Sequence, residues 1–463
     1  MVVKDSLFVG NNVGICAGAI YINPKEGFKA EICGCAFENN SAKDDDAGAI
    51  YANGNLILNG TSFVGNSAGD CAGAIDVEGS RAQIYGCVFE NNSAKDDGGA
   101  LWVKSYLNVQ NTTFKHNSAG DEAGTIYVGS DLSLINSSIF TDSTDKKSIV
   151  CKGSMKINAS LTPNLKDLSF LIDNVAENSI LDLDSDYVTI YGKLIINITK
   201  SMTIDGHGHT MDLAGSSKHD HYFKVNKGSV TFKNIKFTNG YNKDDDKGGA
   251  IFFKSSGVCT LINCIFENCW AEDYGGAVYS VGELRVYNST FFNNSVENDG
   301  GAIYAEGNLI LNGTSFVGNS AGDCAGAVDV EGSKAEMSGC VFENNSAEDD
   351  GGAAWVNGNL ILNGTSFVGN SAGDCGGTVD VEGSKAEINN CTLESNRAGD
   401  RGGAVWAKNN LNVFNTTLKN NNAPNAGTIY TGGDLSLVKS NVLYDTAEDD
   451  KAIVCKGYIT FSI

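Results

Sequence analysis

The chain has 463 residues, 41% of them hydrophobic, and a formal net charge of −23. So acidic a balance excludes a nucleic-acid binder, because phosphate recognition needs Lys and Arg patches. It is not a disordered acidic tail either, since enough apolar residues are present to bury a core. There are 56 glycines and only three prolines, and no run of 18 apolar residues that would cross a membrane as a helix.

From the first residues the chain reads as short strands in a repeat. The opening MVVKDSLFVG has no charged-then-apolar leader pattern and already resembles a strand in mid-repeat. The string GNLILNGTSFVGNSAGDC stands unchanged at 54–71, 307–324 and 358–375. A looser Phe-x-x-Asn begins at Phe8, Phe37, Phe63, Phe89 and Phe114, then at Phe291, Phe316, Phe342 and Phe367, with Phe266 in the same series carrying Cys269 at the Asn place. Leu393 and Leu418 continue the series with Leu, and Phe140 and Phe237 keep the Phe without the Asn. A second motif follows each after a polar loop: AGAI at 47–50, GGAL at 98–101, GGAI at 248–251 and 300–303, GGAV at 402–405. Between motifs lie apolar or alternating triplets such as LIL at 56–58, bounded by turn formers.

A period of about 25 residues is too short for a propeller blade, and a sandwich gives no reason for exact repetition. One such coil cannot bury its apolar face alone. Coils stacked at the strand spacing of about 4.8 Å bury it as columns of like residues. The expected fold is therefore all-β, a right-handed parallel β-helix, a solenoid of about 25 residues per coil. Phe should fill the interior, Asn should form a side-chain amide ladder, and paired Gly should serve a tight turn.

The motifs stop at residues 158–230. Leu165, Leu168, Leu171, Ile172 and Val175 fall at helical spacing and predict a short capping helix near 158–180. The first array ends IVCKGSMKI at 149–157 and the second IVCKGYITFSI at 453–463. The expected division is thus 1–157, the C-terminal part of one array, and 158–463, a cap and a second array. Both belong to a longer repeat whose export and anchoring segments lie elsewhere.

At this point Phe-x-x-Asn with Gly-Gly-Ala-Ile resembles the polymorphic outer-membrane-protein repeat first named in chlamydial adhesins. SMTIDGHGHTMD, followed by GSVTFKNIKFTNG, resembles the adhesin-like β-helix proteins of methanogenic archaea. The resemblance implies large secreted or wall-associated proteins that mediate attachment, extracellular or on the cell surface. It supplies no catalytic residues.

Four features bear on chemistry. After each Gly-Gly-Ala, the second residue of the strand should point to solvent. Those residues are Tyr21, Tyr51, Asp76, Trp102 and Tyr127, then Phe252, Tyr279, Tyr304, Asp329, Trp355, Asp380, Trp406 and Tyr430. Exposed aromatics stack on sugar rings and carboxylates accept hydroxyl hydrogen bonds, so the column is a candidate face for glycans or protein partners on other cells; the alternative is rung-to-rung stacking alone. Among 14 cysteines, Cys71 and Cys87, Cys324 and Cys340, and Cys375 and Cys391 recur 16 apart, which suggests disulfides in an oxidising compartment, against a ladder of buried thiols. Cys16 with Cys33 or Cys35 is a variant of that spacing, and Cys259, Cys264 and Cys269 lack metal-site spacing. Acidic loops at 43–46, 95–97, 244–246, 348–350 and 448–450 form a stripe of solvated charge that Ca²⁺ would bridge, although the GGxGxD calcium signature is missing. Finally, His207, His209, His219 and His221 lie near Asp205 and Asp212, in a context that reads as a turn. Asn-x-Ser/Thr sequons at Asn59, Asn111, Asn288, Asn312, Asn363 and Asn415 also fall on repeat turns.

Three functions fit: a non-enzymatic surface adhesin with many weak sites, a polysaccharide lyase or glycoside hydrolase, and a structural spacer. Near-copied coils and only four arginines argue against a unique catalytic groove. No cofactor is expected.

Overall fold

The computed structural model describes residues 1–23, 29–140, 148–161, 165–183, 185–188, 194–213, 220–443 and 451–462. His219 and the acidic loop at 448–450 lie outside them. The chain divides into two compact units, residues 1–185 and 186–463. Each is a parallel β-helix.

One coil illustrates both units. The strand Asn359–Asn363 alternates, burying Leu360 and Leu362 and turning Asn359, Ile361 and Asn363 outward. Gly364 takes φ of 59° and bends the chain into Ser366–Val368, which buries Phe367. A second bend at Gly369 leads through the buried Asn370 to the two-residue strand Ser371–Ala372. The acidic loop follows, and then the strand Val379–Val381. Each strand pairs in parallel with its equivalent one coil away: Ser62 with Val88 and Val88 with Thr113, intervals of 26 and 25 residues.

Two interior columns explain the repeat. The Phe rings stack, with centroids 4.7–5.0 Å apart from Phe8 through Phe114 and 4.7–4.9 Å apart from Phe237 through Phe367. Each such pair adds about 0.5–1.5 kcal/mol beyond the area it buries. Ile139, not Phe140, continues the first column opposite Phe114, at the ordinary interval of 25 residues. The Asn three residues on forms the expected ladder. Asn345 donates its backbone N–H and its Nδ2 to Oδ1 of Asn370, at 3.0 and 2.9 Å, and Nδ2 also donates to the Phe316 carbonyl at 3.1 Å. The same three bonds recur down the column from Asn294 to Asn396.

The Gly-Gly pair has two separate reasons. The first Gly stands at positive φ, 73° at Gly300 and 67° at Gly351. The second has no room for a side chain: a Cβ on Gly301 would lie 2.1 Å from the Gly326 carbonyl oxygen of the next coil.

The helix predicted from apolar spacing is present at Leu165–Asn174. It buries Leu168, Leu171 and Ile172, with Val175 just beyond, and packs on Ile149–Cys151, the last strand of its sheet in the first unit. Among the described residues, no helix is long and apolar enough to cross a membrane.

Candidate binding face

The column after Gly-Gly-Ala is in register, rung on rung. Tyr51 pairs with Asp76, Asp76 with Trp102, and Trp102 with Tyr127. In the second unit the order is Phe252, Tyr279, Tyr304, Asp329, Trp355, Asp380, Trp406 and Tyr430. These side chains leave the core side of the sheet, as alternation requires, yet the column is not open throughout. Tyr21 is exposed, and Tyr51, Trp102, Tyr127, Tyr304, Trp355, Trp406 and Tyr430 are half-buried. Phe252 and Tyr279 are buried, and Asp76, Asp329 and Asp380 are each only 2% exposed.

The expectation of solvent-facing carboxylates therefore needs correction. The cause is tertiary: the acidic loop of each coil folds back over the strand that follows it. A Cβ on Gly300 would meet the Ile303 carbonyl oxygen at 2.4 Å and the Asp329 Cβ at 3.2 Å. The larger rings one rung above and below cover the shorter Asp. Adjacent rings stack, Tyr21 on Tyr51 at 5.2 Å, Trp102 on Tyr127 at 5.7 Å, Tyr279 on Tyr304 at 5.3 Å and Trp406 on Tyr430 at 6.1 Å. Tyr279 also donates its hydroxyl to Glu306.

Electrostatics follow from this enclosure. Burial, then the charges of Asp46 and Glu78, pushes the Asp76 carboxyl well above the usual range. Burial does the same to Asp329 beside Asp299 and Glu331, and to Asp380 beside Asp350 and Glu382. Burial together with Asp76 and Glu78 lifts Tyr51 to about 12. Oδ1 of Asp76, Asp329 and Asp380 has no hydrogen-bond partner.

The cysteine expectation is also corrected. All 14 thiols are free. Cys71, Cys324 and Cys375 lie in the acidic turn, whereas Cys87, Cys340 and Cys391 lie at the bend before the Phe strand, at a different corner of the coil. The latter share an interior column with Thr and Ser: the N–H of Cys87 donates to Thr112 Oγ1 at 3.2 Å and that of Cys391 to Thr416 Oγ1 at 3.2 Å. Cys16, Cys33 and Cys35 are likewise unbridged. Cys259, Cys264 and Cys269 are buried at three different places in the coil, strand, bend and Asn ladder.

The acidic loops do form a stripe. Asp96 donates its N–H to the Asp70 carbonyl and Asp121 to that of Asp96; Asp349, Asp374 and Asp400 likewise follow Asp323. Three places in it gather two carboxylates and a thiol whose ligand atoms lie within 4.8 Å of one another: Asp46, Asp70 and Cys71; Asp299, Asp323 and Cys324; Asp350, Asp374 and Cys375. Near the histidines, Asp205 is 6% exposed. Burial opposes its charge, but bonds from Lys233 at 2.8 Å, Asn234 at 2.9 Å and the His207 N–H hold its carboxyl below the usual range. That is a turn carboxylate with its acceptor capacity used locally. His209 sits 3.3 Å from Asp186.

Residues 86–104 and 288–306 match the family model of the Chlamydia polymorphic membrane protein repeat. Both segments hold Phe-x-x-Asn and the following Gly-Gly-Ala strand, so those two coils carry a repeat of that type. No curated protein and no solved structure matches the chain.

Proposed function

We propose that the chain is part of a non-enzymatic cell-surface adhesin whose coils carry many weak sites for glycans or partner surfaces. The observation that supports this reading best is the line of half-open rings Tyr304, Trp355, Trp406 and Tyr430, interrupted only by enclosed Asp. Rings with one free face and low conformational entropy are good weak binders, and repetition converts weak contacts to avidity. The repeat type, named for a membrane protein, supports a surface location. The blocks around 201–212 support kinship with the adhesin-like proteins of methanogens. A lyase or hydrolase is less well supported: Arg285 pairs with Glu283 at 2.5 Å and Arg401 with Asp400 at 3.0 Å, on separate rungs.

The spacer reading draws on one specific observation, that neighbouring rings already stack on each other. A glycan array and a cell-attachment assay with the chain and its Trp355→Ser/Trp406→Ser variant separate the two. Binding that falls at least ~10-fold in a folded variant, as expected when stacking anchors are lost, supports the adhesin. Undiminished binding, or none by the parent chain, leaves a spacer. Release of reducing sugar from polysaccharide would overturn both.

A further inference from the structure

We propose that the three Gly-Asp-Cys turns are binding sites for a divalent transition-metal ion of the Zn²⁺ class, each held by two turn carboxylates, a thiolate and the enclosed Asp of the strand beneath. The first site comprises Asp46, Asp70, Cys71 and Asp76; the second Asp299, Asp323, Cys324 and Asp329; the third Asp350, Asp374, Cys375 and Asp380.

Two independent observations converge. The first is the clustering of carboxylate and thiol atoms within 4.8 Å, at the same turn, three times. The turn is rigidly placed: the N–H of Cys71, Cys324 and Cys375 donates to Oδ1 of Asp46, Asp299 and Asp350, at 3.3, 3.0 and 2.8 Å. That bond uses one oxygen of each of these Asp, while Oδ1 of Asp70 and of Asp323 accepts from the thiol of Cys71 and of Cys324, at 3.7 and 3.8 Å, so thiol and carboxylate face one another in the turn. The second observation is the enclosed Asp five residues after each Cys. Its Oδ1 is buried and has no hydrogen-bond partner in any of the three copies. Native proteins rarely leave such a group orphaned, and an absent ion is one of the standard explanations. The enclosed carboxyl stands outside the 4.8 Å cluster itself, with Asp46, Asp299 and Asp350 as its foremost charged neighbours in the three copies, and it reaches the ion from there as the fourth donor. Coils whose strand carries an aromatic at this position have Asp, Glu, Lys, Tyr, Arg or Asn in place of the turn Cys; among the coils compared, Cys16, followed by Tyr21, departs from the pairing.

The ligand set selects the ion. Three carboxylates and one thiolate make four donors of mixed softness, which suits Zn²⁺ or Co²⁺ in tetrahedral geometry. Ca²⁺ takes six to eight oxygens and gains nothing from sulfur. On binding, the Sγ–H bond breaks, the metal–sulfur bond forms, and the proton leaves to solvent, with no change of oxidation state.

The test uses the full chain, stripped with EDTA under reducing conditions and titrated with Co²⁺. The expected result is three ions per chain by equilibrium dialysis, a thiolate-to-cobalt band in the near ultraviolet, and displacement by Zn²⁺ but not by Ca²⁺. Cys71→Ser/Cys324→Ser/Cys375→Ser should abolish the band, and Asp76→Asn/Asp329→Asn/Asp380→Asn should weaken binding at least ~10-fold. Cys87→Ser/Cys340→Ser/Cys391→Ser, at the other corner, should change nothing. The dialysis and the band need no variant, so a misfolded mutant does not decide the matter. No stoichiometric uptake, no thiolate band, a band that survives the first triple variant, or equal competition by Ca²⁺ overturns the proposal.

Discussion

At the scale of single residues, the Asn ladder shows why a polar residue repeats inside a β-helix. Each amide satisfies a backbone carbonyl of one coil and is itself held by the next, so a column of buried polar groups costs little. Replacing Asn345 with Ala would strand the N–H of Asn319, one of the two bonds of its Nδ2 (the other goes to the Phe291 carbonyl), and the side-chain donor to the Phe316 carbonyl. We expect a loss of about 2–4 kcal/mol, read from urea melts, because buried donors left unmade cost about 1–3 kcal/mol each. Phe-x-x-Asn was legible as interior plus ladder because both residues recur at one interval. The enclosed Asp was not. Alternation places Asp329 on the outer face correctly, but its burial depends on a loop that returns from another part of the coil. The pH consequence follows from that burial. An unfolded Asp titrates near ~3.9, and the folded carboxyls of Asp76, Asp329 and Asp380 lie higher. The native state then binds more protons, so these groups favour folding below about pH 4 and their contribution is lost as pH rises through the folded values. In the presence of EDTA, Asp76→Asn/Asp329→Asn/Asp380→Asn should therefore be more stable than the parent at pH 7, where the buried carboxyls would otherwise have to ionise. The gain should shrink toward pH 4; a pH-independent difference between their melting curves would contradict the assignment.

At the scale of the coil, two kinds of turn divide the work. The bends flanking the Phe strand need left-handed backbone, which Gly and Asn supply. The Gly-Gly turn needs in addition a backbone-to-backbone approach that excludes any Cβ. Gly301→Ala should cost more than Gly300→Ala: a Cβ on Gly301 meets the Gly326 carbonyl oxygen at 2.1 Å, whereas Ala72 and Ala325 already occupy the first position of the pair in other coils, at φ of 57° and 61°. Thermal melts of the two variants check the order, with about 1–3 kcal/mol expected for the overpacked one. The 16-residue cysteine spacing misled for a reason also found at this scale. Sequence separation within a coil says nothing about which corner each thiol occupies, and the Cys before the Phe strand merely alternates with Thr and Ser in a small-residue column.

At the scale of the molecule, the strands of the regular coils pair with their equivalents in neighbouring coils among the described residues, so each unit behaves as a one-dimensional stack. Removal of residues 334–358, one turn by the Lys334–Asn359 pairing, should leave a cooperatively folding shorter array, because Ser333 then continues into Asn359 in register. Removal of half that length should not. Circular dichroism and a melting curve decide between these outcomes. The same one-dimensionality lets many near-identical rungs form without a unique pocket, which is the physical ground for seeking function along a face.

Period, strand alternation and the location of the helix were all determined by local pattern, since a 25-residue repeat of Phe, Asn and Gly has one efficient way to bury its apolar residues and satisfy its polar ones. The state of the thiols, the enclosure of Asp76, Asp329 and Asp380, and the gathering of two turn carboxylates from neighbouring coils around each turn cysteine were decided only by the stacked structure. These depend on contacts between a loop of one coil and a strand of the next, and no spacing along a single coil encodes them.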